Sequence, residues 1–175
     1  LDAPMLEAAV DEARRQGVYV AAHAHGTEGI KVAIRAGVRS IEHGSLIDDE
    51  GIELLVSHGT YLVADIYDGD WIAEEGRRAA WPAETMAKND ETTLAQRDGF
   101  ARAVRAGARI AFGTDSGVYP HGMNAVQFGY QVRAGQSPLE AVLSATIVAA
   151  EMRSWDDRVG SLAAHVSQGA LGRTD

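Results

Sequence analysis

Four short apolar runs alternate with helix-patterned segments along this chain, and that alternation restricts it to an α/β architecture of parallel strands joined by right-handed crossovers. The runs are Val18 to His23, Val38 to His43, Gly59 to Ile66 and Arg109 to Phe112. The first of them, short, β-branched and almost wholly apolar, has the pattern of a strand buried on both faces. Helical patterns fill the intervals. The first follows the Asp2-Ala3-Pro4 start, in which a capping Asp precedes a first-turn Pro, and it ends at Gly17. Others run from Thr27 to Gly37, from Asp48 to Ser57 and, as a long amphipathic segment, from Ala83 to Ala106. Two closing helices are expected over Ala125 to Ala134 and Pro138 to Met152, and a looser stretch over Asp68 to Pro82.

Composition narrows the function. The 175 residues include 25 acidic and 16 basic side chains, a formal charge of −9, with no block of Lys or Arg. A nucleic-acid backbone or an anionic membrane surface, which needs clustered positive charge, is therefore not expected as a partner. The absence of Cys excludes disulfides, thiolate nucleophiles and cysteine-ligated metals, so any metal must be held by His and carboxylate. No run approaches the roughly 18 apolar residues of a membrane span, and the start lacks a signal-peptide pattern, which gives a cytoplasmic expectation. The chain begins at Leu1 rather than Met, so that expectation is made for a chain whose natural start is missing.

Three strands finish in possible metal ligands beside glycine: Ala22-His23-Ala24-His25-Gly26, Ile41-Glu42-His43-Gly44 and Phe112-Gly113-Thr114-Asp115-Ser116-Gly117. In parallel α/β folds ligands bind at the carboxyl ends of the strands. Neutral imidazoles with a carboxylate suit Zn²⁺ and its neighbours. His23 and His25 share one face of a strand, so either offers itself to a metal, and His25, nearer the loop, equally to a substrate. His121, in Tyr119-Pro120-His121-Gly122, is either a surface turn or a substrate contact. Tyr67 and Asp68, with Trp71 and Trp81, form either a lid over an apolar substrate or packing for the long helix. Packing is the simpler reading of the tryptophans, and Tyr67 is carried as a substrate contact. His58 at a helix end suits the helix dipole and is structural, and His165 has no role.

The motifs AAHAHG, SIEHG, AFGTDSG and PHGMN, followed by Gly135-Gln136-Ser137-Pro138-Leu139-Glu140-Ala141 and Ala145-Thr146, resemble the C-terminal half of a metal-dependent amidohydrolase. The branch most resembled is the imidazolonepropionase-like and Xaa-Pro or Arg dipeptidase-like group. The resemblance covers residues 1 to 162 and implies four C-terminal βα units of a (β/α)8 TIM barrel. It implies that His23 and His43 are metal ligands on the fifth and sixth barrel strands. Asp115 would be the eighth-strand carboxylate that binds metal and moves the proton, with His25 and His121 at the substrate. The implied cofactor is Zn²⁺, or Mn²⁺, Fe²⁺ or Co²⁺ in its place, and the implied reaction is hydrolysis of an amide, dipeptide or cyclic C–N bond. A small-molecule or dipeptide-like substrate follows.

Three departures from that pattern stand out. The first-strand HxH pair and the fourth-strand lysine of the family would precede Leu1. Gln127 stands where a carboxylate is common. After Gly160-Ser161-Leu162 the usual Gly-Lys-x-Ala-Asp run is replaced by Ala163-Ala164-His165-Val166. Residues 1–160 are accordingly read as half a barrel and residues 161–175 as an atypical, poorly ordered tail.

A full barrel takes about 250 residues and seldom fewer than about 200, more than this chain has. In a flat sheet the first and fourth strands would lie about 14 Å apart, so His23 and Asp115 need curvature to share one ion. The expectation is a fragment of a longer enzyme. A homo-oligomer completing eight strands, a non-catalytic half-barrel and a small flavodoxin-like α/β binding domain without metal are the alternatives.

Overall fold

The computed structural model describes residues 2–162. Most of the tail expected from residue 161 onward therefore lies outside the described residues. Asp2 caps the first helix, α1 (Ala3–Arg15), by accepting from the Met5 amide, and Pro4 sits in its first turn. Strand β1 (Ala21–Ala24) follows, then α2 (Thr27–Ala36), β2 (Ser40–His43), α3 (Asp49–His58) and β3 (Tyr61–Val63). Asp48 caps α3 in the same manner, its Oδ1 accepting from Gly51 at 2.8 Å. Next come α4 (Asp68–Arg78), the long α5 (Ala83–Arg105) and β4 (Arg109–Ile110). The last elements are α6 (Val126–Arg133), α7 (Pro138–Ser144) and α8 (Ile147–Met152).

The four strands form one parallel sheet in the order β1-β2-β3-β4. This strictly sequential order is the winding of a barrel, whereas a flavodoxin-like sheet reverses direction at a switch point. Its two faces carry different cores. On the outer face Ile41, Leu62, Ala64 and Ile110 pack against Ile30 and Ile34 of α2, Leu55 of α3 and Phe100 of α5. On the inner face Tyr61, Val63 and Ala111 meet Val148 and Met152 of α8.

The amino end of the inner face is closed by arginines. Arg39 donates to the Glu151 and Met152 carbonyls at 2.7 and 3.2 Å, and Arg109 pairs with the Glu151 carboxylate at 2.7 Å. The Arg109 guanidinium also lies 4.2 Å from the centroid of Tyr61. The carboxyl ends of the strands stay open, and the candidate ligands gather there.

Several expected boundaries move. The first strand begins at Ala21 rather than Val18, and Val18 and Tyr19 are 56% and 58% exposed. With no strand paired on its outer side among the described residues, this edge is not buried on both faces as its apolar run suggests. Residues 68–78, expected to be loose, form α4. The helix expected over 138–152 is two, broken at Ala145 and Thr146, where Thr146 adopts a non-helical backbone. Among the described residues no helix is long and apolar enough to cross a membrane.

Candidate metal centre

His23 projects from β1 and His43 ends β2, and parallel pairing sets the strands in register so that Ala24 lies opposite His43. His43 adopts a left-handed backbone, φ 68°, immediately before Gly44 at φ 62°. A Cβ on Gly44 would stand 2.6 Å from Leu62 Cδ1, so the chain turns off the strand only where the side chain is absent. Asp115, in the loop after β4, is also left-handed at φ 45°. Two of the three predicted ligands thus occupy a backbone conformation that bulky side chains seldom adopt, a strain concentrated where the candidate chemistry lies.

His43 Nε2 stands 2.8 Å from His23 Nδ1. On the other side of the same ring, Nδ1 lies 3.0 Å from Asp65 Oδ2. His25 stacks on His43 with ring centroids 4.6 Å apart, and its Nδ1 lies 2.8 Å from Ser45 Oγ. Two groups of donors are close enough to hold an ion. His23, His25 and His43 form one, and His43, Asp65 and Asp115 form the other, with the ligand atoms of each group within 4.8 Å of one another. Sheet coiling therefore brings Asp115 of the fourth unit to the His43 imidazole, whereas His23 joins it only as a wall of the same cleft and not in one donor group.

Asp65 was not among the residues singled out from the sequence. It lies just past β3, 3% exposed, with Oδ1 accepting from Gln96 Nε2 at 2.9 Å. No glycine flanks it, unlike the other ligand runs, but its place two residues beyond Val63, which pairs with Glu42, was a usable signal.

Ionisation follows from these contacts. Burial opposes the charge on Asp65, yet hydrogen bonding and attraction from His43, with help from Gln96, hold its carboxyl below the usual range. The Asp65 hydrogen bond raises His43 above the ordinary histidine value. His25 is lowered, first by burial and then by repulsion from His43 and His23. Asp68 is pushed up to about 7 by burial and by the neighbouring charge of Asp65. Glu42 is raised by burial, although Ser40 donates to it at 2.5 Å.

A cleft of about 180 Å³ is lined by His23, Glu42, His43, Asp65 and Asp115. A larger cavity of about 490 Å³ adjoins it, sharing Asp65 and bounded by His25, Asp68, Ile72, Trp81 and Lys88. Trp81 serves packing as well, because a Cβ on Gly76 would meet its ring at 3.2 Å. His121 is exposed and belongs to neither donor group, although its loop is tied beside Asp115 by Asn124 donating to Thr114 at 3.1 Å. Tyr67, expected at the substrate, is buried, its ring 4.9 Å from Tyr119 and 5.2 Å from Tyr130, and it lines neither cavity. Gln127 is fully buried, accepting from the Tyr67 amide at 3.1 Å and donating to the Ala64 carbonyl at 2.7 Å.

The donors fit a divalent cation. Asp65 is an ionised acceptor, so His43 must present N–H at Nδ1, and in the neutral ring Nε2 is then a bare lone pair directed at His23. Imidazole nitrogens converging with carboxylate oxygens make a set of the zinc type.

Parallel strands wound in sequence, with imidazoles and carboxylates gathered at their carboxyl ends, define a partial α/β barrel with its site in the position usual for barrel enzymes. The sequence profile of the amidohydrolase family matches residues 2–165. The ochratoxinase of Aspergillus niger is 37% identical over 147 residues, which cover 81% of this chain and 29% of the ochratoxinase. The crystal structure of a Xaa-Pro dipeptidase with bound methionine superposes with a TM-score of 0.84 at 40% identity, covering 90% of this chain and 39% of that one. A prolidase complexed with N-methylphosphonate-L-proline gives 0.81 at 33% identity, covering 93% and 40%. The chain belongs to the amidohydrolase family and spans well under half the length of these relatives, which are TIM barrels.

Proposed function

We propose that this chain supplies the metal-ligating half of a hydrolase for C–N bonds, acting on an amide, dipeptide-like or cyclic amide substrate. The observation that carries the reading is the convergence of His43 Nε2 on His23 Nδ1 at 2.8 Å, with Asp115 reaching the same ring. In this reading His23, His43 and Asp115 hold Zn²⁺, or Mn²⁺, Fe²⁺ or Co²⁺. Bound there, such an ion would polarise the scissile carbonyl and acidify a water. Asp115 would be the carboxylate that takes up a proton and passes it to the departing nitrogen, a role that suits an exposed carboxylate lining the cleft.

His25, lowered below the ordinary histidine value by partial desolvation and by the neighbouring rings, faces the larger cavity and contacts the substrate beside the ion. The cavity walls include Ile72 and Trp81, which favour an apolar substituent next to the scissile bond. His121 acts from the loop tied beside Asp115. Tyr67 acts indirectly, through the aromatic cluster under α4. Names of the relatives support the class: an ochratoxinase, a Xaa-Pro dipeptidase and a prolidase. Residues 1–160 form the barrel portion in this reading.

Metal content after equilibration with zinc tests it, with wild type compared with His23→Ala, His43→Ala and Asp115→Ala. About one ion per chain in wild type, lost or weakened at least about tenfold in each variant, is expected. A wild-type chain that folds but retains no divalent ion would overturn the reading.

A further inference from the structure

We propose that Gln96 is a positioning residue of this centre, its buried amide clamping Asp65 and the His43 main chain so that His43 presents a bare Nε2 to the cation. The inference rests on the metal-centre reading above and extends it to a residue that touches neither ion nor substrate.

Gln96 lies on α5 and is 6% exposed. Its Nε2 carries two protons, and both are directed at the centre, one to Asp65 Oδ1 at 2.9 Å and the other to the His43 carbonyl at 3.3 Å. One amide nitrogen thereby joins the side chain that orients a ligand to the backbone that carries the ligand. With Oδ1 engaged, Asp65 turns Oδ2 to His43 Nδ1. A carboxylate only accepts, so this contact selects the tautomer with N–H at Nδ1 and leaves the lone pair on Nε2, on the side of His23. The opposite tautomer would set a nitrogen lone pair against a carboxylate oxygen. The second bond holds the His43 carbonyl at the residue whose left-handed backbone takes the chain off β2. Helix α5 is held to its neighbours by apolar contacts such as Phe100 and by Asn89, Arg97 and Arg102, which donate to the Gly69, Ile66 and Ile47 carbonyls, so its attachment does not depend on Gln96 alone.

Removal of the clamp leaves the fold with a buried carboxylate lacking one partner and frees His43 to exchange tautomers. Two readouts test this in the full chain. Long-range ¹H–¹⁵N spectra of the metal-free protein report which His43 nitrogen carries the proton, and competition with a chromophoric chelator reports Zn²⁺ affinity. In wild type the proton is expected on Nδ1. Gln96→Leu, and Gln96→Glu, which keeps the volume but exchanges the donor for an acceptor, are expected to mix the tautomers and weaken Zn²⁺ about 10- to 100-fold.

A wild-type His43 protonated at Nε2 would overturn the proposal without recourse to any variant. So would a folded variant of either kind with unchanged tautomer and unchanged affinity. Failure of the metal-centre reading has a different signature: no Zn²⁺ binding in wild type, with the Nδ1–H tautomer present there and lost on substitution. In that case Gln96 still positions His43, and the ion alone is removed from the account.

Discussion

Asp65 Oδ2 accepts from His43 Nδ1 at 3.0 Å, which joins the end of the third strand to a ligand at the end of the second. The pair is shielded from water, with the Asp65 side chain 4% and the His43 side chain 13% exposed, and on its far side His43 Nε2 meets His23. A buried carboxylate behind a histidine fixes its tautomer and raises its basicity, the arrangement seen behind metal-ligating imidazoles generally. Both effects have measurable consequences, because proton and metal compete for the same ring.

The first concerns pH and metal. His43 is raised above 6.5 chiefly by its hydrogen bond to Asp65. Below that raised value a proton must leave for each ion bound, so apparent Zn²⁺ affinity is expected to fall about tenfold per pH unit there and to level off above it. Asp65→Asn removes the charge and is expected to shift the break toward lower pH. Calorimetric or chelator titrations between pH 5 and 9 measure the effect. An unchanged break in Asp65→Asn would dissociate His43 basicity from Asp65.

A second prediction concerns stability of the metal-free chain. Asp68 is raised from 3.8 to about 7, first by burial and then by the charge of Asp65. A group raised in the folded state binds more protons there than in the unfolded chain. Its stabilisation is complete below the unfolded value and is lost as pH rises through the folded value. Asp68→Asn cannot ionise. Between pH 4 and 8 wild type is therefore expected to lose on the order of 1–3 kcal/mol relative to the variant, read from urea midpoints.

The turn at Gly44 gives a third. Its φ of 62° and the 2.6 Å approach of Leu62 Cδ1 to a would-be Cβ act together against any side chain. Gly44→Ala is expected to destabilise by about 2–3 kcal/mol and to weaken metal binding, since His43 precedes it. Gly26→Ala, at a position with no atom within 4 Å and no positive φ, is the control and should change stability by less than about 1 kcal/mol. Urea denaturation of the two variants decides it.

The sequence reading located the four strands and the three glycine-flanked ligand runs because each of these signals is local. An apolar run with its strand-end histidine, or with the Gly-Thr-Asp turn after Phe112, spans only a few consecutive residues. Asp65 and Gln96 were not legible in that way. They are 31 residues apart, and what joins them is the packing of α5 across the end of β3. Helix α4 was missed for a different reason: Gly69 and Gly76 lower helix propensity, and the sequence does not show that close packing against Thr93 and Met86 requires them. Val18 and Tyr19 misled in the other direction, because an apolar run indicates burial only when a neighbouring strand covers it.

Gln127 shows why a departure from the family pattern is structural in this chain. Its side chain accepts from Tyr67 N and donates to Ala64 O, so it brackets Asp65 between two backbone bonds in a fully buried site. A carboxylate at this position can accept but, when ionised, cannot donate, and it would face the Ala64 carbonyl with like charge. Gln127→Glu is therefore expected to take up a proton and recover the donor at low pH, and to destabilise by about 2–4 kcal/mol at pH 8. The sign follows from the raised carboxyl, whose stabilisation is present below the ordinary Glu value and is lost as pH rises through the folded one. Gln127→Leu loses both bonds at every pH and should cost about 2–3 kcal/mol throughout. Equal losses in the two variants at pH 5 and pH 8 would show that the donated bond to Ala64 carries no weight. A Glu variant that recovers only at low pH would show that the donated bond to Ala64 carries the stability.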